Sequence, residues 1–342
     1  MSPLHDAYFF CMSSKHLLLI RTSAFGDVVQ TFYVVSDICR ALPEIRLTWC
    51  VDARFADLAR LHPAVAQVIA LPARRWRGFL FKPWLWPEIG RWISQLRNLS
   101  FDASVDLQGL YKSAIVGWMS RAKYRFGPEA FAVSESGVQR LYSHQVKGSK
   151  VEGLAMRARY FAGAALGFDA LSYPMDSGIR RWVKGTGRQQ ILIMMGASRA
   201  EKMWPQANWA ELCLGLTGQK DVSIELLWGS ESERQLALEI QHQTSTDAVI
   251  VAPRIYSVQD LVARFMDARA VVGGDTGLAH LAVALGVPTV MLFLKTHAVR
   301  YAHPELSNQL PVDSADGPVT VARVLAQIEK ALGMPAADQR RP

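Results

Sequence analysis

The sequence predicts an α/β protein of two Rossmann-like, doubly wound domains facing a cleft. Three observations predict it. Short apolar runs alternate with helix-like patterns along the chain, and strands separated by helices pair in parallel. The alternation pauses at a polar, Gly-bearing stretch, 172–190 (SYPMDSGIRRWVKGTGRQQ), and then restarts. The length, 342 residues at 50% hydrophobic, suffices for two packed cores.

Taken in order, the first half offers strands at 16–21 (HLLLIR), 46–52 (RLTWCVD), 67–71 (QVIAL), 103–108 (ASVDLQ) and 124–127 (YRFG). Helical patterns fill the gaps near 27–41, 53–62, 86–98 and 111–120, and another follows near 151–166. Residues 1–171 therefore form a first domain and 172–190 a linker. The second domain, 191–342, offers strands at 191–196 (ILIMMG), 223–228 (SIELLW), 248–252 (AVIVA), 270–274 (AVVGG) and 289–293 (TVMLF). Its helices fall near 206–217, 231–243, 257–267 and 277–285. A last helix, 318–332, is free to pack back on the first domain. Ligands of such sheets bind beyond the carboxyl ends of the strands.

Composition removes several classes. No apolar run approaches the ~20 residues that span a bilayer. Residues 1–14 carry an acid and no basic leader, so they read as a disordered lead-in rather than a signal peptide. A cytoplasmic location is expected. Cys11, Cys39, Cys50 and Cys213 are scattered, which favours neither disulfides nor zinc, and they read as buried small hydrophobes. The net charge of +8 favours an acidic partner: nucleic acid, a phosphorylated substrate or an anionic membrane.

Five stretches carry candidate chemistry, each with a plainer reading beside it. In GGDTGLAHLAVALGVP (273–288), Gly273 and Gly274 permit close backbone approach, and Thr276 and Gly277 open a helix whose free N–H groups suit an anion. Equally, Asp275 or Thr276 caps the helix and His280 belongs to the core. No second His or Cys stands at metal-ligand spacing. In RTSAFGDVVQT (21–31), Ser23, Gly26 and Thr31 resemble a ligand-admitting loop without a dinucleotide fingerprint. Asp27 there is either an N-cap or a general base. In GASRAEKMWP (196–205), Ser198 and Lys202 are phosphate contacts or surface residues. In WGSESERQL (228–236), Glu231 is a first-turn dipole partner or a ribose ligand. In PARRWRGFLFKPWLWPEIGRW (72–92), Arg74, Arg75 and Arg77 sit among four of the ten tryptophans. That mixture suits a membrane interface, a phosphorylated lipid or nucleic acid, or else a core helix with a basic surface turn.

Six pieces in order, RTSAFGDVVQT, ARRWR, VDLQGLYKSA, EKMWP, WGSESER and GGDTGLAHLAVALGVP, resemble the bacterial lipopolysaccharide heptosyltransferases of glycosyltransferase family 9. The resemblance runs from about residue 16 to 293. It implies a GT-B fold, with the acceptor on the first domain and a nucleotide-sugar on the second. It implies metal-independent, inverting transfer of heptose from ADP-heptose to Kdo of Kdo2-lipid A, without cofactor or nucleic acid, at the anionic cytoplasmic face of the inner membrane. Asp27 then matches the base, and Lys202, with Ser198 beside it, the donor-phosphate lysine. Glu231, with Glu233 as the alternative, matches the ribose acid. Asp275, Thr276, Gly277 and His280 match the donor loop, and Arg74, Arg75 and Arg77, with Gln108 and Lys112 near the cleft, the acceptor contacts. The chain departs from the family at 294–304, where LKTHAVRYAHP replaces a Gly-Pro-Thr-Asp-Pro-like turn, and it echoes the family only loosely at 126–144. Three rivals remain: another family 9 transfer, a non-catalytic basic nucleic-acid-binding protein, and a nucleotide-sugar epimerase of similar two-domain form.

Overall fold

A computed structural model of the chain describes residues 15–129, 135–179, 190–196, 200–217 and 222–333. The chain divides into two compact units, Met1–Gly178 and Ile179–Pro342. The first unit runs β1 (His16–Ile20), α1 (Phe25–Ala41), β2 (Arg46–Asp52), α2 (Ala56–Ala59), β3 (Val65–Leu71), α3 (Trp86–Asn98), β4 (Ala103–Asp106), α4 (Tyr111–Met119), β5 (Tyr124–Pro128), β6 (His144–Val146) and α5 (Leu154–Leu166). The second runs β7 (Ile191–Met194), α6 (Gln206–Thr217), β8 (Ile224–Leu227), α7 (Glu231–Thr244), β9 (Val249–Val251), α8 (Val258–Asp267), β10 (Ala270–Gly274), α9 (Gly277–Ala284), β11 (Thr289–Phe293), α10 (Ala298–Tyr301), β12 (Gln309–Asp313) and α11 (Val321–Leu332).

Each unit holds a six-stranded, wholly parallel sheet, in the orders β3-β2-β1-β4-β5-β6 and β12-β11-β10-β7-β8-β9. Counted from its own first strand, each order is 3-2-1-4-5-6. The chain reverses direction across the sheet between β1 and β4, and again between β7 and β10. Helices then leave both strands toward opposite faces, and a crevice opens at their carboxyl ends.

Burial follows the pleat. Leu18, Ile20 and Cys50 point to one face of the first sheet, where Trp92 and Leu96 of α3 and Val116 of α4 complete an apolar cluster. Trp49, one residue from Cys50, points the other way and meets Phe32 of α1 edge-on, ring centroids 5.9 Å apart. The second core is built from Ile191, Ile193, Leu226, Val272 and Val290 of the sheet with Trp209, Cys213, Val324 and Ile328 of α6 and α11. Helix α11 thus packs on its own unit's sheet, beside α6.

Three readings need correction. Each sheet has a sixth strand, β6 or β12, at an edge where sequence shows only HQV or QLPVD. The helix expected at 53–62 is a 3-10 turn, Ala53–Phe55, followed by the single turn of α2. Asp27 is not an N-cap but the third residue of α1, which Ala24 precedes. Part of the expected linker is tied down: Arg159 donates to the Tyr173 carbonyl at 2.8 Å, and Arg40 pairs with Asp176 at 3.6 Å. Gly178 closes this segment at φ +71°, where a Cβ would meet Ser36 Oγ and His62 Nε2 at 2.5 Å. Residues 180–189, the lead-in 1–14 and Cys11 lie outside the described residues.

Candidate functional site

The loops at the first switch point follow β1 and β4. After β4, Asp106 is fully buried and gathers four donors: the N–H groups of Gln108 (2.8 Å) and Gly109 (3.3 Å), and the hydroxyls of Ser113 and Tyr142 (both 2.8 Å). Burial pushes its carboxyl above the usual range, against the pull of those bonds. The turn they close, with Gly109 at φ +69°, presents Gln108 to the neighbouring loop. Its Oε1 accepts from Thr22 N (2.9 Å) and Thr22 Oγ1 (2.6 Å), and its Nε2 donates to Ser23 Oγ at 3.2 Å. Lys112 Nζ donates to the same Ser23 Oγ at 2.9 Å. Gln108, expected as an acceptor contact, is therefore a brace between the β1 and β4 loops, whereas Lys112 is exposed.

Asp27 stands beside this brace. Its Oδ2 accepts from Ala24 N at 3.0 Å and from Arg21 Nη2 at 3.0 Å, while Arg21 Nη1 donates to the Leu107 carbonyl. The side chain remains 30% exposed, and among the described residues no hydrogen bond engages Oδ1. A carboxylate with one restrained and one open oxygen can take a proton from a bound hydroxyl.

Arg74, Arg75 and Arg77 are exposed on the turn after β3. Arg75 Nη2 pairs with Glu88 Oε2 at 2.7 Å, and Trp76 Nε1 donates to Glu88 Oε1 at 3.0 Å. Trp76 and Trp92 meet edge-on within the core, centroids 5.4 Å apart. Phe79, Phe81, Trp84 and Trp86 are exposed, so this stretch is part core and part surface.

At the second switch point, β10 ends on Gly273 and Gly274. A Cβ on Gly273 would press within 3.1 Å of Met194 on β7, so its smallness serves sheet packing. A Cβ on Gly274 would meet nothing within 4 Å, which leaves open space at the strand end. Asp275 follows, nearly buried (side chain 7% exposed). Thr296 Oγ1 donates to its Oδ2 at 2.8 Å, His280 Nε2 lies 3.2 Å from Oδ1, and Lys202 Nζ lies 3.5 Å from Oδ2. Burial opposes its ionisation, yet His280, Thr296 and Lys202 together hold the carboxyl below the usual range. Thr276 holds the N-cap position of α9, but its side chain makes no cap hydrogen bond. Thr276 is extended and no side chain bonds the helix start, so the first N–H groups, beginning at Gly277, stay open to a ligand.

Lys202 ends a 3-10 turn, Ala200–Lys202, beyond β7; Ser198 lies outside the described residues. The two acids of α7 separate. Glu231 is 76% exposed and pairs with Arg234 at 3.0 Å. Glu233 accepts the Gly229 N–H at 2.7 Å and lies against Gly196 at the end of β7, where a Cβ would meet its Oε1 at 2.3 Å. The switch point gathers Glu233, not Glu231. Sequence reasoning also missed Arg21, Asp106 and Thr296. A Ser-x-x-Glu capping pattern, Ser230 to Glu233, was the signal that fixes Glu233 as third residue of α7. Among the described residues no three His, Cys, Asp or Glu side chains gather as a metal site, and no helix is long and apolar enough to cross a membrane. Burial pushes the thiols of Cys39 and Cys213 up to about 11 and about 12.

The chain resembles known proteins over most of its length. The family model described as glycosyltransferase family 9 (heptosyltransferase) matches residues 89–315. Lipopolysaccharide heptosyltransferase 1 of Pseudomonas aeruginosa is 33% identical over 287 residues, 82% of this chain and 79% of that protein. The solved structure of E. coli heptosyltransferase WaaC with ADP superposes with a TM-score of 0.83 at 26% identity, covering 92% of this chain and 99% of that one. The same enzyme with ADP-2-deoxy-2-fluoro heptose gives 0.80, at the same identity and coverage.

Proposed function

Because this chain belongs to glycosyltransferase family 9, the heptosyltransferases, we propose that it transfers L-glycero-D-manno-heptose from ADP-heptose to Kdo of Kdo2-lipid A in lipopolysaccharide inner-core synthesis. The transfer inverts the anomeric centre and needs no metal. The observation that carries this reading is Asp275, an ionised and nearly buried carboxylate beside Lys202 at the start of α9, whose N-cap side chain leaves the first N–H groups unbonded. The arrangement offers the two kinds of group an ADP-sugar requires. Open N–H groups and the Lys202 ammonium take the diphosphate, and the Asp275 carboxylate takes sugar hydroxyls. Glu233, at the neighbouring β7 end, is the acid that takes the ribose.

The first unit receives the acceptor. Its hydroxyl oxygen bonds to the anomeric carbon as the bond from that carbon to the diphosphate oxygen breaks. The hydroxyl proton passes to Asp27 Oδ1, and ADP leaves with the bonding pair. Charge grows on the leaving diphosphate during this step, so Lys202 and the α9 amides bind the transition state better than the ground state. Arg74 and Arg77, with Lys112, hold the acidic groups of the acceptor, and the protein works at the cytoplasmic face of the inner membrane.

The test is nucleotide release from a panel of ADP- and UDP-sugars, with and without Kdo2-lipid A, in EDTA. Acceptor-dependent ADP release from ADP-heptose is expected. Preference for a UDP-sugar, consumption of the sugar nucleotide without acceptor, or revival only by a divalent metal each overturns part of the proposal.

A further inference from the structure

Helix α4 is apolar on two faces. Ala114, Val116 and Gly117 face inward, with Val116 in the cluster beneath the first sheet. Tyr111, Ile115 and Trp118, spaced i, i+4 and i+7 on the opposite face, are 43%, 40% and 55% exposed. Lys112 is the one charged residue of the helix, and an apolar outer stripe such as this is ordinarily buried. This one is not, and it has company. The helix shares its face of the sheet with α3, whose approach carries the exposed Phe79, Phe81, Trp84 and Trp86. Among the described residues, seven of the thirteen large exposed hydrophobics lie on these two segments.

Charge concentrates in the same place. Residues 72–125 hold ten Lys and Arg against three Asp and Glu, which is +7 of the chain's net +8. One of those three acids, Asp106, is buried, and another, Glu88, is engaged by Arg75 and Trp76. Arg121, Lys123 and Arg125 follow the Trp118 turn directly, and Lys82 stands beside Phe81.

We infer that the α3–α4 face of the first unit docks on an anionic lipid bilayer, with α4 lying along the interface on Tyr111, Ile115 and Trp118. The charge sign selects the partner. Aromatic rings with polar tips settle at headgroup depth, and lysines and arginines around them are drawn to acidic headgroups. A protein partner would need matching acids and a defined apolar groove; a bilayer needs only this mixture. The inference deepens the reading of a lipid-linked acceptor, and it is tested without that acceptor.

The experiment is co-sedimentation of the full chain with vesicles of phosphatidylglycerol and phosphatidylethanolamine that contain no glycolipid. Wild-type protein should bind these, bind pure phosphatidylcholine far less, and lose part of its affinity at high salt. The Ile115→Ser/Trp118→Ser variant should bind at least tenfold more weakly and retain the wild-type melting temperature. Its transfer rate to a water-soluble Kdo acceptor should be unchanged. Brominated lipid should quench tryptophan fluorescence in the wild type and quench it less in Trp118→Phe. Unchanged vesicle binding by the double variant overturns the inference, as does a wild-type dimer that the double variant dissociates, since a second copy would then cover the stripe. Vesicle binding with no transferase activity would overturn the functional reading alone.

Discussion

Arg21 Nη2 lies 3.0 Å from Asp27 Oδ2, the same oxygen that accepts the Ala24 N–H at 3.0 Å. One carboxylate oxygen is thereby fixed by a charge and a backbone donor, and the other is free for chemistry. The arrangement orients the carboxylate without occupying it.

Asp27→Asn keeps the size of the side chain and a carbonyl oxygen for Ala24, but it cannot take a proton as a carboxylate does. Its kcat should fall by about 10²–10⁴-fold, the usual contribution of a general base. ADP affinity should not change, since the donor contacts proposed above lie in the second unit. Steady-state kinetics with calorimetry of ADP binding checks both, and a variant that retains most of its kcat removes Asp27 from the mechanism.

Thr296→Val deletes the hydroxyl that donates to Asp275 Oδ2 at 2.8 Å. The loss should lower kcat/KM for the donor by about tenfold, about 1.4 kcal/mol; Thr296→Ser should restore it. The pH dependence follows from the lowered carboxyl of Asp275. The stability it contributes is complete above the unfolded-state value of about 3.9 and is lost as pH falls through the lower folded-state value. Removing one donor brings these two values together, so in urea unfolding at graded pH the variant should lose this contribution at a higher pH than wild type.

Glu231→Ala and Glu233→Ala should differ sharply. The first removes a side chain 76% exposed and paired only with Arg234. Activity and donor KM should match wild type. The second releases the Gly229 N–H and empties the space beside Gly196. Donor KM should rise by about tenfold or more, the scale of a lost charge-assisted hydrogen bond. Equal effects from the two substitutions would contradict the geometry.

Arg159→Met leaves the buried Asp37 with only the more distant Arg40 among its ion-pair partners in the described residues. The pair is buried on both sides, with Arg159 Nε 2.6 Å from Asp37 Oδ2, and Arg159 also holds the Ala170 and Tyr173 carbonyls. Burial already pushes the Asp37 carboxyl upward, and Arg159, with Arg40 at 3.7 Å as the weaker partner, opposes it. Loss of the guanidinium should destabilise the first unit by about 3–5 kcal/mol, and Arg159→Met/Asp37→Leu should recover much of that. Chemical denaturation of the three proteins gives the comparison.

The sequence shows the two sheets because their innermost strands carry near-continuous apolar runs, LLLI of β1 and AVVGG of β10 among them, as strands covered on both faces do. The edge strands are not legible. HQV is three residues long, and QLPVD carries a proline and an acid, features an edge tolerates and sequence reads as loop. Asp275, Lys202 and Asp27 are legible because each follows a strand in a recognisable stretch. Thr296 and Asp106 are not. Thr296 reaches Asp275 across 21 positions, inside the segment that looked most divergent, and Asp106 owes its burial to Tyr142, 36 positions away. Such pairings exist only once the strands are in register.

Two sheets with separate cores have a calorimetric consequence. Cooperativity follows shared burial, and the apolar clusters under the two sheets have no residue in common. Heating should then produce two endotherms rather than one, a departure from two-state melting that single domains seldom show. ADP at about 100 times its dissociation constant adds about 2.7 kcal/mol to whatever folds around it. With the donor site proposed for residues 179–342, that increment belongs to their endotherm, which should move upward while the other stays in place. A nucleotide thus becomes a label that tells which peak is which half of the chain.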